Sequence, residues 1–340
     1  MLSFISLSPL TVTTFILTLS VIFVNGLTDA PNAVATCITT RCLTLRKAVF
    51  LSAIFNFLGV FVMSKISPAV TETVLSLVDF GSNKSDAAIA LAAALFSIVL
   101  WAAVAWYFGI PTSESHALIA GISGSAFALN GGFQAININE WIKAIYGLFS
   151  SCLGGFFLGF FICKAVLLIF RNIKRRHTET FFRYAQIFAA MCMSFMHGAQ
   201  DGQKFIAILL MTVGFSEASA DQSTLSFLTF LCSFIMALGT LSGGKKIIKS
   251  VGMEMVKLQK YQGFSADIAS SVALLFSTVS GFPVSTTHAK TTAMMGAGFS
   301  KNKNSVNPSI IKDIGLTWLL TFPGCGLLGF IMTEIFLKIF

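Results

Sequence analysis

Uncharged apolar windows punctuate the chain at residues 1–28, 49–63, 87–108, 144–163, 223–244, 268–287 and 314–333. A helix crossing the hydrocarbon core needs roughly 20 apolar residues, and all but the second window reach that length. The pattern predicts membrane-spanning helices joined by short polar linkers, none long enough to fold as a soluble domain. The first window lacks the basic lead-in and small-residue cleavage site of a signal peptide, so it reads as a retained first span. Composition agrees with this. The 340 residues are 55% hydrophobic and 11% charged, with mean hydropathy +0.81. A soluble domain carries about 25% charged residues, which excludes a water-facing surface over most of the chain. The seven cysteines form no C-x-x-C pair. They read as small apolar packing residues rather than zinc ligands or a disulfide framework.

Two short patterns recur at one offset. Asn25-Gly26-Leu27-Thr28-Asp29 returns 172 residues later as His197-Gly198-Ala199-Gln200-Asp201. Gly109-Ile110-Pro111-Thr112-Ser113-Glu114-Ser115-His116-Ala117 returns, also after 172, as Gly281-Phe282-Pro283-Val284-Ser285-Thr286-Thr287-His288-Ala289. Such periodicity marks an internal duplication. It divides the chain into a first repeat (1–170), a basic linker (171–183) and a second repeat (184–340). Each copy predicts an apolar helix interrupted at the Gly…Asp motif, a second helix, a third running into the Pro-Ser-His motif, a short Gly- and Ala-rich segment, and a long closing helix.

The net charge of +9 then gives orientation. Arg41, Arg46 and Lys47 follow the first helix of copy one. In copy two the same linker holds only Glu217 and Asp221, and the basic cluster comes one helix later, at Lys245, Lys246, Lys249, Lys257 and Lys260. With Arg171, Lys174, Arg175, Arg176 and Arg183 in the junction, and Lys301, Lys303 and Lys312 near the end, 16 of the 23 Lys and Arg fall in four linkers. Placing those linkers in the cytoplasm satisfies the positive-inside rule only if the copies have opposite topology. The charge excess is thereby a membrane feature, not a nucleic-acid one. The expected fold is an all-α polytopic membrane protein of two inverted-topology repeats, with broken helices and helical hairpins giving about 10–12 membrane segments. Whether each Pro-Ser-His region crosses fully or re-enters is open at this level.

Ionisable groups inside apolar segments are costly and usually functional. Those seen here are Asp29, Glu114, Asp201, Lys204 and Lys290, with His116 and His288 beside them. Gly and Pro around Asp29 predict a loosened helix whose freed carbonyls, with the carboxylate, suit a small cation. Asp201 and Lys204, three residues apart, share a helix face. The alternative for this motif is an interhelical ion pair, with Gly present for close packing. Pro111 and Pro283 fit the first turns of helices, and the hydroxyls of Ser113, Ser115, Ser285, Thr286 and Thr287 join free N–H groups there as donors to an oxyanion. The alternative is an ordinary helix cap. His116 and His288 either shape these loops or handle protons directly. Lys290 reads as a packing or snorkelling residue, and Glu114 as a further cation ligand.

At these residues the sequence resembles the inorganic phosphate transporter (PiT) family, with its duplicated G-A-N-D-x-x-N-A-like and P-x-S-T-T-H-like motifs. The resemblance spans nearly the whole chain. Its short junction resembles prokaryotic members, which implies a multi-pass protein of the cytoplasmic (inner) membrane. It implies phosphate contacts at Asn32, Ser113, Ser115, Lys204, Ser285, Thr286 and Thr287, cation contacts at Asp29, Asp201 and Glu114, and support from Thr28, Gln200, His116 and His288. It also implies symport coupled to Na⁺, tentatively at Asp29 and Asp201, or to H⁺, no other cofactor, no enzymatic activity, and a homodimer. Thr28 and Gln200 replace the family's motif Asn, Pro31 a small residue, Lys204 the second Asn, and Glu114 a Thr. Three rival readings remain: a sulfate or other oxyanion carrier, an anion channel, and an intramembrane serine hydrolase. The last needs one triad and leaves the duplication unexplained.

Overall fold

A computed structural model of the chain describes residues 8–108, 112–215, 221–243, 256–302, 306 and 308–340. The sequence readings at 1–7, at Gly109 to Pro111, and at Glu217, Lys245, Lys246, Lys249 and Lys303 lie outside these. Among the described residues all regular structure is helical, and the only extended pairings are isolated bridges, Val78 to Ile136 and Val256 to Val306.

Helix α1 (Pro9–Thr28) opens on Ser8, whose hydroxyl accepts from the Thr11 N–H, with proline in the first turn where no N–H is needed. Helix α2 (Ala30–Thr39) follows after the single residue Asp29. The expected interruption is slight. Asp29 keeps right-handed helical angles (φ −90°, ψ −41°), and its N–H still bonds Asn25 O at 2.9 Å. In the second copy it does not occur, because α8 (Arg175–Phe215) runs unbroken through Gly198 and Asp201 for 41 residues. The motif glycines serve close packing instead. A Cβ at Gly26 would collide with the backbone of Met236, and one at Gly198 with the backbone of Asn56. Neighbouring helices fill the space where side chains would stand, so the ladder is retained.

The remaining helices are α3 (Leu45–Ile66), α4 (Ala69–Leu75), α5 (Lys84–Phe108), α6 (Glu114–Asn130), α7 (Ile138–Phe170), α9 (Gln222–Ser242), α10 (Lys260–Val279), α11 (Thr286–Phe299) and α12 (Pro308–Ile339). A shift of 172 residues carries α1 and α2 onto α8, α3 onto α9, α5 onto α10, α6 onto α11, and α7 onto α12. Packing follows the same correspondence: α6 lies on α12 as α11 lies on α7, and α3 lies on α8 as α9 lies on α1.

The first helices of the two copies run antiparallel. Along α1 and α2, Thr18 meets Thr212, Asn25 meets Asp201 and Thr40 meets Gln186. Helices α5 and α6 form one hairpin, closed at its base where Asn130 bonds the Asp79 carbonyl at 2.8 Å. Helices α10 and α11 form the other, closed where Gln262 bonds the Ala297 carbonyl at 3.1 Å. The hairpins enter the bundle from opposite ends and meet tip to tip. Gly281, at φ 72°, makes the second tip's turn against Ala69 and Thr73.

The 33-residue α7 lies along both helices of the second hairpin and is about 50 Å long at 1.5 Å per residue. Its Gly147, Gly155 and Gly159 admit residues 282–293 of the second hairpin. Its opposite face exposes Tyr146, Phe149, Leu153, Phe157 and Phe161. A large apolar exterior over a polar interior is what a lipid solvent selects. Six described helical segments are long and apolar enough to cross a membrane. Lys84 and Lys143 lie at one end of the bundle, whereas Arg41, Arg171, Lys260 and Lys301 surround one cavity at the other.

Candidate functional site

The two hairpin tips bring Ser113 and Ser285 together, with the Ser113 hydroxyl donating to Ser285 Oγ at 2.8 Å. Both serines also cap their helices, accepting from the His116 N–H at 3.3 Å and the His288 N–H at 3.2 Å. A hydroxyl has one proton and two lone pairs. Ser113 has spent its proton on Ser285, so the pair retains one unspent donor, that of Ser285. The cap and the meeting point of two helix N-termini are thus the same atoms, and partial positive charge from both helices converges there.

Around this pair the site repeats itself. Thr287 accepts from Asn32 at 3.2 Å and donates to Asp29 at 3.1 Å. Its counterpart Ser115 accepts from Lys204 at 2.5 Å and donates to Asp201 at 3.3 Å. Asn32 and Lys204 are themselves 172 residues apart, so one neutral and one cationic donor occupy equivalent places. The two carboxylates therefore differ electrostatically. Asp201 accepts from Lys204 at 2.6 Å, Thr286 at 3.0 Å and Asn25 at 3.4 Å, and His197 Nε2 lies 3.3 Å away. Asp29 accepts from Thr287 and from the Glu114 backbone N–H, with no lysine in hydrogen-bond contact. Glu114, held through one oxygen by Thr28 at 3.2 Å, adds a second acid beside Asp29, and its other oxygen has no hydrogen-bond partner.

All these groups are buried: Asp29 is 3% exposed, Glu114 2%, and Asp201 and Lys204 0%. The site is closed to solvent on both sides in this conformation. Lys204 is saturated, since its third proton goes to the Val284 carbonyl at 2.5 Å. Asn25 Oδ1 and Asn32 Oδ1 are further buried acceptors without a partner. Native interiors leave few such groups unsatisfied, and their concentration here marks a place built for something that supplies positive charge or protons.

The structure sets three expected residues apart from this cluster. Gln200 ties α8 to the second tip, donating to the Phe282 carbonyl at 2.7 Å and accepting from Thr278 at 2.5 Å. The imidazoles of His116 and His288 meet edge to face at 4.3 Å and turn away onto Phe322 and Trp318. Lys290 requires a correction. It does not snorkel but is fully buried and ion-paired with Asp267, a residue the sequence reading omitted because the apolar window begins at 268. Asn25 and His197 were quoted in the repeated motif yet not taken as site residues; their 172-residue register was the available signal.

Two helical hairpins meeting tip to tip at a buried, charge-rich point, within a bundle of apolar helices, form the arrangement of a polytopic membrane transporter. By sequence, the chain belongs to the phosphate transporter family, whose family model matches residues 25–329. It is 35% identical over 334 residues to a protein of Bacillus subtilis described as a probable low-affinity inorganic phosphate transporter, covering 96% of this chain and 98% of that one. A Rhizobium meliloti protein of the same description is 33% identical over 314 residues, 90% of each chain. Among solved structures, one titled the sodium-dependent phosphate transporter superposes with TM-score 0.84 at 21% identity, over 98% of this chain and all of that one. This last likeness is one of fold.

Proposed function

We propose that the chain carries inorganic phosphate across the membrane by alternating access, coupled to a cation, through the meeting point of the hairpin tips. The observation that carries this reading is the reciprocal, fully buried arrangement of Asp29 with Thr287 and Asp201 with Ser115 around the Ser113–Ser285 pair. Two antiparallel halves sharing one site have two related closures, one toward each side. Substrate contacts fall to Ser113, Ser115, Ser285, Thr286, Thr287, Asn32 and Lys204. The unspent Ser285 proton is available at once; Lys204 becomes a donor as it exchanges the Val284 carbonyl for a phosphate oxygen.

Coupling follows from charge. Lys204 balances Asp201 alone, so Asp29 and Glu114 would repel a multiply charged oxyanion strongly at low dielectric. A cation bound between them removes that repulsion, and anion binding then depends on it. Na⁺ suits the partnerless carboxylate and amide oxygens of Glu114 and Asn32, and the neighbour in fold is titled sodium-dependent. H⁺ on Glu114 is the second form of the same coupling. The basic end carrying Arg41, Arg171, Lys260 and Lys301 faces the cytoplasm, in the cell membrane of a prokaryote, and the family resemblance implies a homodimer.

Labelled phosphate uptake into proteoliposomes, with Na⁺ and pH gradients imposed separately and sulfate as competitor, tests this. Uptake that follows one gradient and resists sulfate is expected. Flux indifferent to both gradients would make the protein a channel.

A further inference from the structure

Helix α2 and its C-cap carry three polar residues one turn apart, Asn32, Thr36 and Thr40. Asn32 touches Thr287 in the central site. Thr40 lines the cavity of about 500 Å³ at the basic end, with Arg41, Arg171, Lys260 and Lys301. Between them, Thr36 donates to both oxygens of Asp267 at 2.8 Å. Lys290, one turn beyond the tip hydroxyls on α11, pairs with Asp267 and lies 3.4 Å from Thr36 Oγ1 and the Ala33 carbonyl. All three side chains are fully buried.

The same three positions in the other half are Ile208, Leu95 and Leu118, equally buried and wholly apolar. This fold therefore packs three aliphatic side chains at that place. A buried ion pair is rarely the more stable choice, because desolvation offsets the attraction. Stability does not explain why one half keeps charge where its twin keeps leucine. Position does: the polar triad stands between the central site and a basic cavity, and the apolar triad stands on the opposite side of that site.

We infer that Lys290 is a second oxyanion contact, held by Asp267 until the anion arrives, on the passage from the central site to the basic cavity. An oxyanion moving along α2 from Asn32 meets the Thr36 hydroxyl and then the Lys290 ammonium. It displaces Asp267 from that ammonium and leaves toward Arg41 and Lys301, after which the pair re-forms and closes the passage. The inference rests on the phosphate-carrier reading above.

The test uses the full-length protein, reconstituted for uptake and in detergent for equilibrium binding of labelled phosphate. The variant D267L/K290L gives these positions their own counterparts' residues. Uptake is expected to fall at least tenfold, with binding at the central site within twofold of wild type and Lys290→Arg close to wild type. Thr36→Val, nearly isosteric, is expected to slow uptake severalfold and leave binding unchanged. Wild-type uptake in the double variant overturns the inference; if that variant does not fold, wild-type uptake in Thr36→Val does so. Equal loss of binding and uptake in a folded variant also overturns it, because the pair would then belong to the central site. Failure of the wild-type protein to take up phosphate would instead overturn the function on which this inference rests.

Discussion

Each hydroxyl at the hairpin tips has two tasks, and this decides what its removal does. Ser113 and Ser285 cap their helices and present the tip donors. Replacing either by Ala should weaken apparent phosphate affinity roughly tenfold or more, since a hydrogen bond to a charged ligand is worth about 1.5–3 kcal/mol. Ser285→Ala, which removes the unspent proton directly, should be no milder than Ser113→Ala. Affinity unchanged in both, with only lower thermal stability, would return the serines to capping alone. The carboxylates predict a different split. Asp201→Asn strands the buried Lys204 without its counter-charge, so it should impair folding as well as transport. Asp29→Asn, which has no lysine to strand, should leave the protein folded and abolish gradient-driven uptake. Normal accumulation by Asp29→Asn, with an unchanged response to the gradient, would remove Asp29 from coupling.

The helices show how far pattern reading reaches. Windows of apolar residues and the 172-residue register were legible because each is a property of the chain alone. The continuity of α8 through Gly198 was not, since whether a glycine loosens a helix or admits a neighbour depends on α3, whose Asn56 fills the gap. Asp267 was lost for a related reason. It borders an apolar window, and only packing shows it fully buried against Lys290. The meeting of Ser113 with Ser285 was not legible either, because it joins two hairpins far apart in the chain. Adjacent glycines on α7 give a contrast that belongs to this scale. A Cβ at Gly155 would strike the Ala289 carbonyl and Thr292, while one at Gly154 meets nothing within 4 Å. Gly155→Ala should therefore cost about 1–3 kcal/mol through overpacking, and Gly154→Ala should be neutral or slightly stabilising. Melting of the two variants in detergent checks this, and equal melting temperatures would contradict the packing described.

For the whole molecule, the two-fold relation is approximate where it matters. Lys204 stands opposite Asn32, and the Asp267–Lys290 pair opposite two leucines, so the two sides of the site are chemically unlike. That asymmetry suits a carrier with a working direction. It also makes the ends testable: cysteines at Arg41 and Lys301 should be labelled from the cytoplasmic side only, and one at Lys143 from the other side only. The most direct test of the central claim is the accessibility of Ser285→Cys, in a background free of native cysteines and in oriented vesicles. If the hairpin tips form an alternating-access phosphate site, an impermeant thiol reagent should reach position 285 from either side in turn, slowly, and phosphate should protect it from both. Labelling from one side alone, or labelling that phosphate leaves unchanged, would contradict the account.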